Sequence, residues 1–330
     1  MTGKQRIINA LTFNDFDIVP IEARDATGTP YVYPNWFTGG KPNQIGKYSD
    51  GWGCIWEVLE EGVCGEVKHH PLAGDDGDWT KLDSFKPPYH ILDNVDMSKV
   101  NESCEINKDK FILNQWEPSM PNIFERMQHL RGTEQLFMDL VYGDAELYKL
   151  RDMLFEYYYK QMEMWCKTDV DAVHIHDDWG TQISLLINPA TWREFFKPVY
   201  KAFCDLAKKY NKFVVMHSDG YIDSIIPDLI EIGVNAINSQ LFCMPIEELA
   251  EKYHHKICFW GEIDRQFVQP FGTVQDMYNA CDRVANAFFK YGKTGFVAIG
   301  YHTMNTPEAN KKAEFDRWAY ISERLDSYKK

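Results

Sequence analysis

Several things are missing from this 330-residue sequence, and each absence closes a door. It has no CxxC pair: the eight cysteines, at 54, 64, 104, 166, 204, 243, 258 and 281, are scattered. In a chain with this much core material they read as reduced thiols of a cytosolic protein rather than as a disulfide framework. It has no run of 18 apolar residues, so no segment reads as a membrane-spanning helix. The opening Met-Thr-Gly-Lys-Gln-Arg leads into an amphipathic segment, unlike a secretion signal. Positive charge is in deficit, 35 Lys and Arg against 49 Asp and Glu for a net charge of −14, which speaks against a nucleic-acid partner. No GxGxxG follows the first strand candidate, which weakens an open dinucleotide-binding sheet. No repeat of 20–50 residues stands out.

What is present is a regular alternation. Apolar, β-branched runs at 17–23, 110–115, 170–176, 212–217, 234–239, 256–260 and 294–299 predict strands, with an eighth expected between 53 and 68. Helical spacing predicts helices at 144–167, 189–209, 222–232, 245–253, 273–291 and 307–325. In the first of these, Leu147, Leu150, Leu154, Tyr158, Met162 and Trp165 share one face. Strands alternating with helices build parallel βαβ units. The expected fold is therefore α/β, a single (β/α)8 TIM barrel over residues 1–330. Residues 26–109, irregular and rich in Gly, Pro, Asp and Trp, are expected to pack as an elaborated N-terminal region over the barrel mouth, acting as lid and docking rim through Trp52 and Trp56.

In such barrels chemistry sits at the C-terminal ends of the strands. Five consecutive strand candidates end in polar clusters: His176-Asp177-Asp178-Trp179-Gly180-Thr181-Gln182, His217-Ser218-Asp219-Gly220, Asn238-Ser239-Gln240, Gly261-Glu262-Ile263-Asp264-Arg265-Gln266, and Gly300-Tyr301-His302. Any one of Asp178, Asp219 or Asp264 would serve as a helix N-cap. Five clusters in corresponding places point to one site. His174 shares a strand face with His176 and reads either as a supporting residue or as a satisfied core histidine. Trp56, Trp116, Trp179 and Trp260 either wall a flat substrate or pack the core. His254 and His255 precede a strand, at the opposite end, and read as solvated surface. "AGDDGDW" reads as a turn ahead of a calcium loop.

The runs "KQRIINALTFNDFDIVPI", "DDWGTQISLLINPATWREFFKPVYK", "HSDGYIDSIIPDLIEIGVNAIN", "GEIDRQ" and "YHTMNTPEAN" resemble the uroporphyrinogen decarboxylase-like superfamily over nearly the whole length. The resemblance implies a (β/α)8 barrel. It offers two activities: a metal-free decarboxylase, and zinc methyltransferases that exchange methyl groups with a corrinoid protein. The decarboxylase cradles a polycarboxylate with arginines after the first strand. Here that stretch is Glu22-Ala23-Arg24-Asp25-Ala26-Thr27-Gly28, one arginine between acids.

Thiol-methylating members carry His-x-Cys after the strand ending at 217 and a further Cys near the last strand. This chain has His217, Asp219 and His302 instead. Oxygen and nitrogen ligands leave zinc more electrophilic than thiolates do, suited to pulling on a leaving oxygen or nitrogen. The expected activity is thus transfer of a methyl group from a small methylated substrate, of the methoxyarene or methylamine type, to the cobalt of a corrinoid (cobalamin) carried by a partner protein. The runner-up is a metal-free lyase acting on a small carboxylic acid. The expected zinc ligands are drawn from His217, Asp219, Glu262 and His302: His217 and His302, with Asp219 or Glu262 to complete the set. Asp178, His176 and Tyr301 are expected in catalysis, and Arg24, Trp179, Gln182, Asn238 and Gln240 against substrate. The metal-free reading of the same residues is a hydrogen-bonded polar pocket. Oligomeric state is left open, a homodimer included.

Overall fold

The computed structural model describes residues 1–30, 32, 45–60, 65–74, 78–93, 95–114 and 120–328. Trp116, Cys64 and the centre of the 73–79 turn lie outside the described residues.

Among the described residues, ten strands form two sheets: β1 Ala26–Gly28, β2 Gly46–Ser49, β3 Ile55–Val58, β4 Glu66–His69, β5 Phe111–Leu113, β6 Ala172–His176, β7 Phe213–Ser218, β8 Ala236–Ser239, β9 Cys258–Gly261 and β10 Phe296–Ala298. Thirteen described α-helical segments accompany them: α1 Gly3–Leu11, α2 Glu22–Asp25, α3 Ser98–Ile106, α4 Ile123–Arg131, α5 Thr133–Tyr142, α6 Ala145–Cys166, α7 Pro189–Thr191, α8 Lys197–Lys209, α9 Ile226–Ile232, α10 Ile246–Tyr253, α11 Val268–Phe271, α12 Val274–Phe288 and α13 Glu308–Ser322. The large sheet runs β1-β5-β6-β7-β8-β9-β10, parallel throughout. It curls until its edges meet at one parallel bridge, Ile21 to Ala298, where the Ala298 N–H donates to the Pro20 carbonyl at 2.9 Å. This is the α/β barrel that the alternating pattern predicts, with seven strands and a bridge in place of eight strands.

Two strand expectations are corrected. Residues 17–23 do not form the first strand, which lies at β1. The buried Asp25 carboxylate accepts the Ile21 N–H at 2.9 Å and pairs with Arg6 and Arg24, which winds 22–25 into a helical turn. The segment 53–68 does not supply the eighth barrel strand. It joins β2-β3-β4, a separate antiparallel sheet.

The six residues predicted for the inward face of α6 are all buried. The 189–209 helix is broken by one π turn, Trp192–Phe196, ahead of Pro198, whose missing N–H interrupts the regular ladder. The small sheet stands against α4 and α6. Asp50 accepts from the Trp52 and Cys54 N–H groups, the Trp56 indole and the Arg126 guanidinium at 2.9–3.1 Å. At the other end of α4, fully buried Arg131 pairs with Asp139 at 2.8 Å and donates to the Leu72 and Asp78 carbonyls.

Trp52 is buried edge-on to Tyr157, ring centroids 4.7 Å apart, beneath Arg126. Half-buried Trp56 meets His129 edge-on at 4.7 Å. Both tryptophans anchor the inserted sheet, and no described residue between 26 and 109 lines the main cavity at the strand ends. Trp52 and Trp56 therefore do not stand on a rim of the mouth, and the rest of the expected lid lies partly outside the described residues. Trp52 packs on α6 and Trp56 on α4 instead.

Candidate active site

The site is built from the two loops that follow β6 and β7. Gly180 and Gly220 bring these loops into backbone contact. A Cβ on Gly180 would lie 2.5 Å from Gly220 C and 2.7 Å from the Asp219 carbonyl oxygen, and one on Gly220 would lie 2.6 Å from Gly180 Cα. Gly220 also has φ of +79°, a region that side chains with a Cβ rarely adopt. Only glycine at both positions permits the contact. The loops are then laced together. The Gly180 N–H donates to the Asp219 carbonyl, the Trp179 N–H to Ser218 Oγ at 3.0 Å, and the Asp219 N–H to Asp178 Oδ1 at 2.8 Å.

The lacing assembles three side chains. One ligand atom from each of His176, Asp178 and His217 falls within 4.8 Å of the others. The imidazoles of His176 and His217 stack at 4.6 Å. His217 Nε2 stands 3.6 Å from Asp178 Oδ1 and 3.6 Å from Asp219 Oδ1. Its other nitrogen settles the tautomer. Asn238 Nδ2 donates to the Trp260 carbonyl at 2.7 Å, which turns Asn238 Oδ1 toward His217. His217 Nδ1 lies 2.5 Å from that oxygen. An amide oxygen cannot donate, so the imidazole proton sits on Nδ1. Burial, and then the neighbouring His176, hold the His217 pKa down, so the ring stays neutral. A bare Nε2 lone pair thus faces carboxylate oxygens, an electron-rich convergence suited to a cation.

Donor type and spacing fit a divalent ion such as zinc. Tetrahedral zinc with bonds of roughly 2.0–2.2 Å places its ligands about 3.4 Å apart. Closing the observed spacing takes side-chain adjustments of about an ångström. The Asn238 link to His217 is the outer support that metal-bound histidines commonly have.

Beside this cluster lies a cavity of about 500 Å³ lined by Glu22, Ala23, His217, Asn238, Glu262, Arg265, Ile299, Gly300 and Tyr301. Glu22 accepts from the Trp260 indole at 2.6 Å. Burial raises its pKa, partly opposed by that indole. Glu262 is buried 3.3 Å from Arg265 Nε. Burial pushes it up to about 8, against the pull of Arg265. Arg265 also pairs with Asp219.

The remaining expected residues divide. Asn238, Glu262 and Tyr301 share the cavity with His217, while His176 and Asp178 join His217 in the cluster. Asp219 lies beside His217 but is held by Arg265. Gln182 is exposed, and Gln182 and Gln240 line a smaller niche next to the cavity. There Gln240 Oε1 accepts the Gly220 N–H at 3.0 Å, so it braces the turn.

Three placements differ from expectation. His302 pairs with buried Glu314 of α13 at 2.9 Å, away from the three-residue cluster. Arg24 is committed to Asp25 and the Val19 carbonyl and does not line the cavity. Trp179 is wholly buried, stacked on Phe124 at 4.1 Å, and offers a substrate no surface. Among the other tryptophans, Trp260 is buried, its indole on Glu22 and its carbonyl on Asn238, both residues that line the cavity. His174 is the satisfied core histidine, its Nδ1 3.0 Å from Asn114 Oδ1 and its pKa pushed down to about 3 by burial.

Three contributors are not among the expected site residues. Glu125 Oε2 lies 3.1 Å from His176 Nε2. Its place three residues after Asn122 is a recognisable helix-start spacing, but its reach to His176 is not visible in sequence. Glu22 and Arg265 sit inside quoted motifs without an assigned role there.

Residues 124–316 match the family described as uroporphyrinogen decarboxylase (URO-D). Among solved structures, a methyltransferase from Methanosarcina mazei superposes with a TM-score of 0.70 at 18% identity, over 97% of this chain and 99% of that one. At that identity the likeness shows the shared fold. Xylanase 10B from Thermotoga maritima, with a TM-score of 0.41 and 8% identity, covers 70% of this chain and 82% of its own. So distant a likeness carries no argument. No curated protein matches the sequence. The family match spans more than half of the chain, and the chain belongs to the uroporphyrinogen decarboxylase (URO-D) family.

Proposed function

We propose that this protein is a zinc-dependent methyltransferase, moving a methyl group from a small methylated substrate of the methoxyarene or methylamine type to the cobalt of a corrinoid held by a partner protein. The observation that carries the reading is His217, its proton locked on Nδ1 by Asn238 and its Nε2 facing Asp178 and Asp219. His176, Asp178 and His217 would hold the ion. When bound there, zinc supplies Lewis acidity toward the atom that releases the methyl group. The cavity beside His217 is large enough for a small substrate, with Tyr301 and Ile299 as its less polar wall.

Glu262 keeps a proton on its buried carboxyl near neutral pH and is placed to give it to a departing oxygen. Arg265 holds Asp219 and Glu262 in position. Family membership and the fold shared with the M. mazei methyltransferase support the reading. A polycarboxylate substrate is disfavoured because the lining offers a single arginine, already engaged by two acids, beside two glutamates.

The test is to incubate zinc-loaded protein with chemically reduced cobalamin and a panel of methoxyarenes and methylamines, following methyl–cobalt absorbance. Methyl-cobalamin should form with at least one donor and vanish in His217→Ala. No methyl–cobalt product with any donor, together with decarboxylation of a small acid by metal-free protein, would favour the lyase.

A further inference from the structure

The first turn of α4 carries an unusual density of connections. Asn122, just before it, accepts from the Tyr158 hydroxyl of α6. The N–H groups of Phe124 and Glu125 donate to buried Asp177, the residue between His176 and Asp178, at 3.2 and 2.8 Å. The Glu125 carboxylate meets His176 Nε2 at 3.1 Å. Arg126 reaches Asp50 of the inserted sheet at 3.1 Å and Tyr158 at 3.3 Å. The His176 N–H donates to the Pro121 carbonyl at 2.9 Å. Five of the six residues 121–126 thus tie the inserted sheet, α6 and the end of β6 into one junction, and the junction reaches the metal-binding cluster through the Glu125 side chain on His176.

We infer that Glu125 is the positioning residue for His176, fixing the ring's proton on Nε2 and its orientation toward the ion, with the inserted sheet setting Glu125 through Arg126. The inference rests on the metal reading given above. A carboxylate can only accept, so a neutral His176 must place its proton on the nitrogen facing Glu125. The opposite ring nitrogen then carries the lone pair. Without Glu125 the ring loses the acceptor that selects this tautomer, and the other tautomer must be reversed when an ion binds. Carboxylates that support metal-bound histidines in this way typically contribute 10–100-fold to metal affinity.

The experiment measures zinc affinity by competition with a chromophoric chelator for wild type, Glu125→Ala and Glu125→Gln. It adds thermal unfolding of the metal-free proteins and the visible spectrum of the Co²⁺-substituted forms. Expected are zinc binding about 10–100-fold weaker in Glu125→Ala, partial recovery in Glu125→Gln, which keeps an acceptor oxygen, a changed Co²⁺ spectrum, and metal-free unfolding close to wild type. Unchanged zinc affinity in Glu125→Ala overturns the inference alone. So does a loss of affinity matched by collapse of the metal-free fold in both variants. A wild-type protein that binds no zinc overturns the metal reading and this inference together.

Discussion

Substituting Gly220 by alanine probes the device that assembles the site. Two costs can be worked from the structure. Holding alanine at a φ of +79° costs about 1–2 kcal/mol. The new Cβ would also sit 2.6 Å from Gly180 Cα, so one loop must retreat by about 1 Å, an overpacking cost of about 1–3 kcal/mol. The sum is a loss of about 2–5 kcal/mol. The same retreat separates Asp178 from His217, because each lies within two residues or three of the contact and their loops are joined by the Asp219 N–H to Asp178 bond. Urea unfolding at 25 °C should show the loss, and a zinc titration should show weakened binding. Stability within about 0.5 kcal/mol of wild type, a typical surface-substitution effect, with unchanged zinc affinity would refute the claim that this contact builds the site.

Glu262→Gln should change how stability depends on pH. The folded carboxyl titrates at about 8 against an ordinary 4.5. A raised acid pKa means that wild-type stability is full below 4.5 and falls as pH rises toward 8. Glutamine has no such titration, so denaturant melts from pH 4.5 to 8 should show the variant gaining on wild type; parallel pH profiles would contradict the assignment. Trp52→Ala should cost about 3–5 kcal/mol, the range for emptying a large aromatic site, because the ring is buried against Tyr157, Tyr158 and Phe85. Metal-binding titration of that variant below its melting temperature should match wild type, and a selective loss of zinc binding with normal stability would reinstate a role at the site.

The six predicted helices were legible because their apolar spacing is dictated by packing on a sheet: α6 buries the very face its sequence displays, whereas α3, α4 and α5 were not read from the sequence. The barrel strands were legible because strands covered on both sides read as continuous apolar runs. The first strand was misplaced for a local reason, since Asp25 folds back on Ile21, and an apolar run alone does not reveal that hydrogen bond. The segment 53–68 has strand composition in either sheet; which sheet it joins is decided by Asp50, Arg126 and Trp52, contacts distant in sequence.

At the site, strand-end position identified His176, Asp178, His217, Asn238 and Glu262 as neighbours of one mouth. It could not separate them by direction. His302 follows its strand as His217 does, yet turns to Glu314 because α13 places a buried carboxylate beside it. Trp179 follows Asp178 and faces the opposite way, into Phe124, Trp192 and Tyr200. Glu125 was invisible because its helix belongs to an excursion after β5 whose course is set by docking against the inserted sheet.

The proposed chemistry requires a metal between His176, Asp178 and His217. The direct measurement is a crystal of zinc-loaded protein with anomalous diffraction recorded on both sides of the zinc edge. One strong zinc peak per chain is expected at roughly 2.0–2.2 Å from one atom of each of the three residues, absent in His217→Ala crystals. A peak bound instead by Glu262 and His302, or no peak in protein that still transfers methyl groups at its full rate, would contradict it.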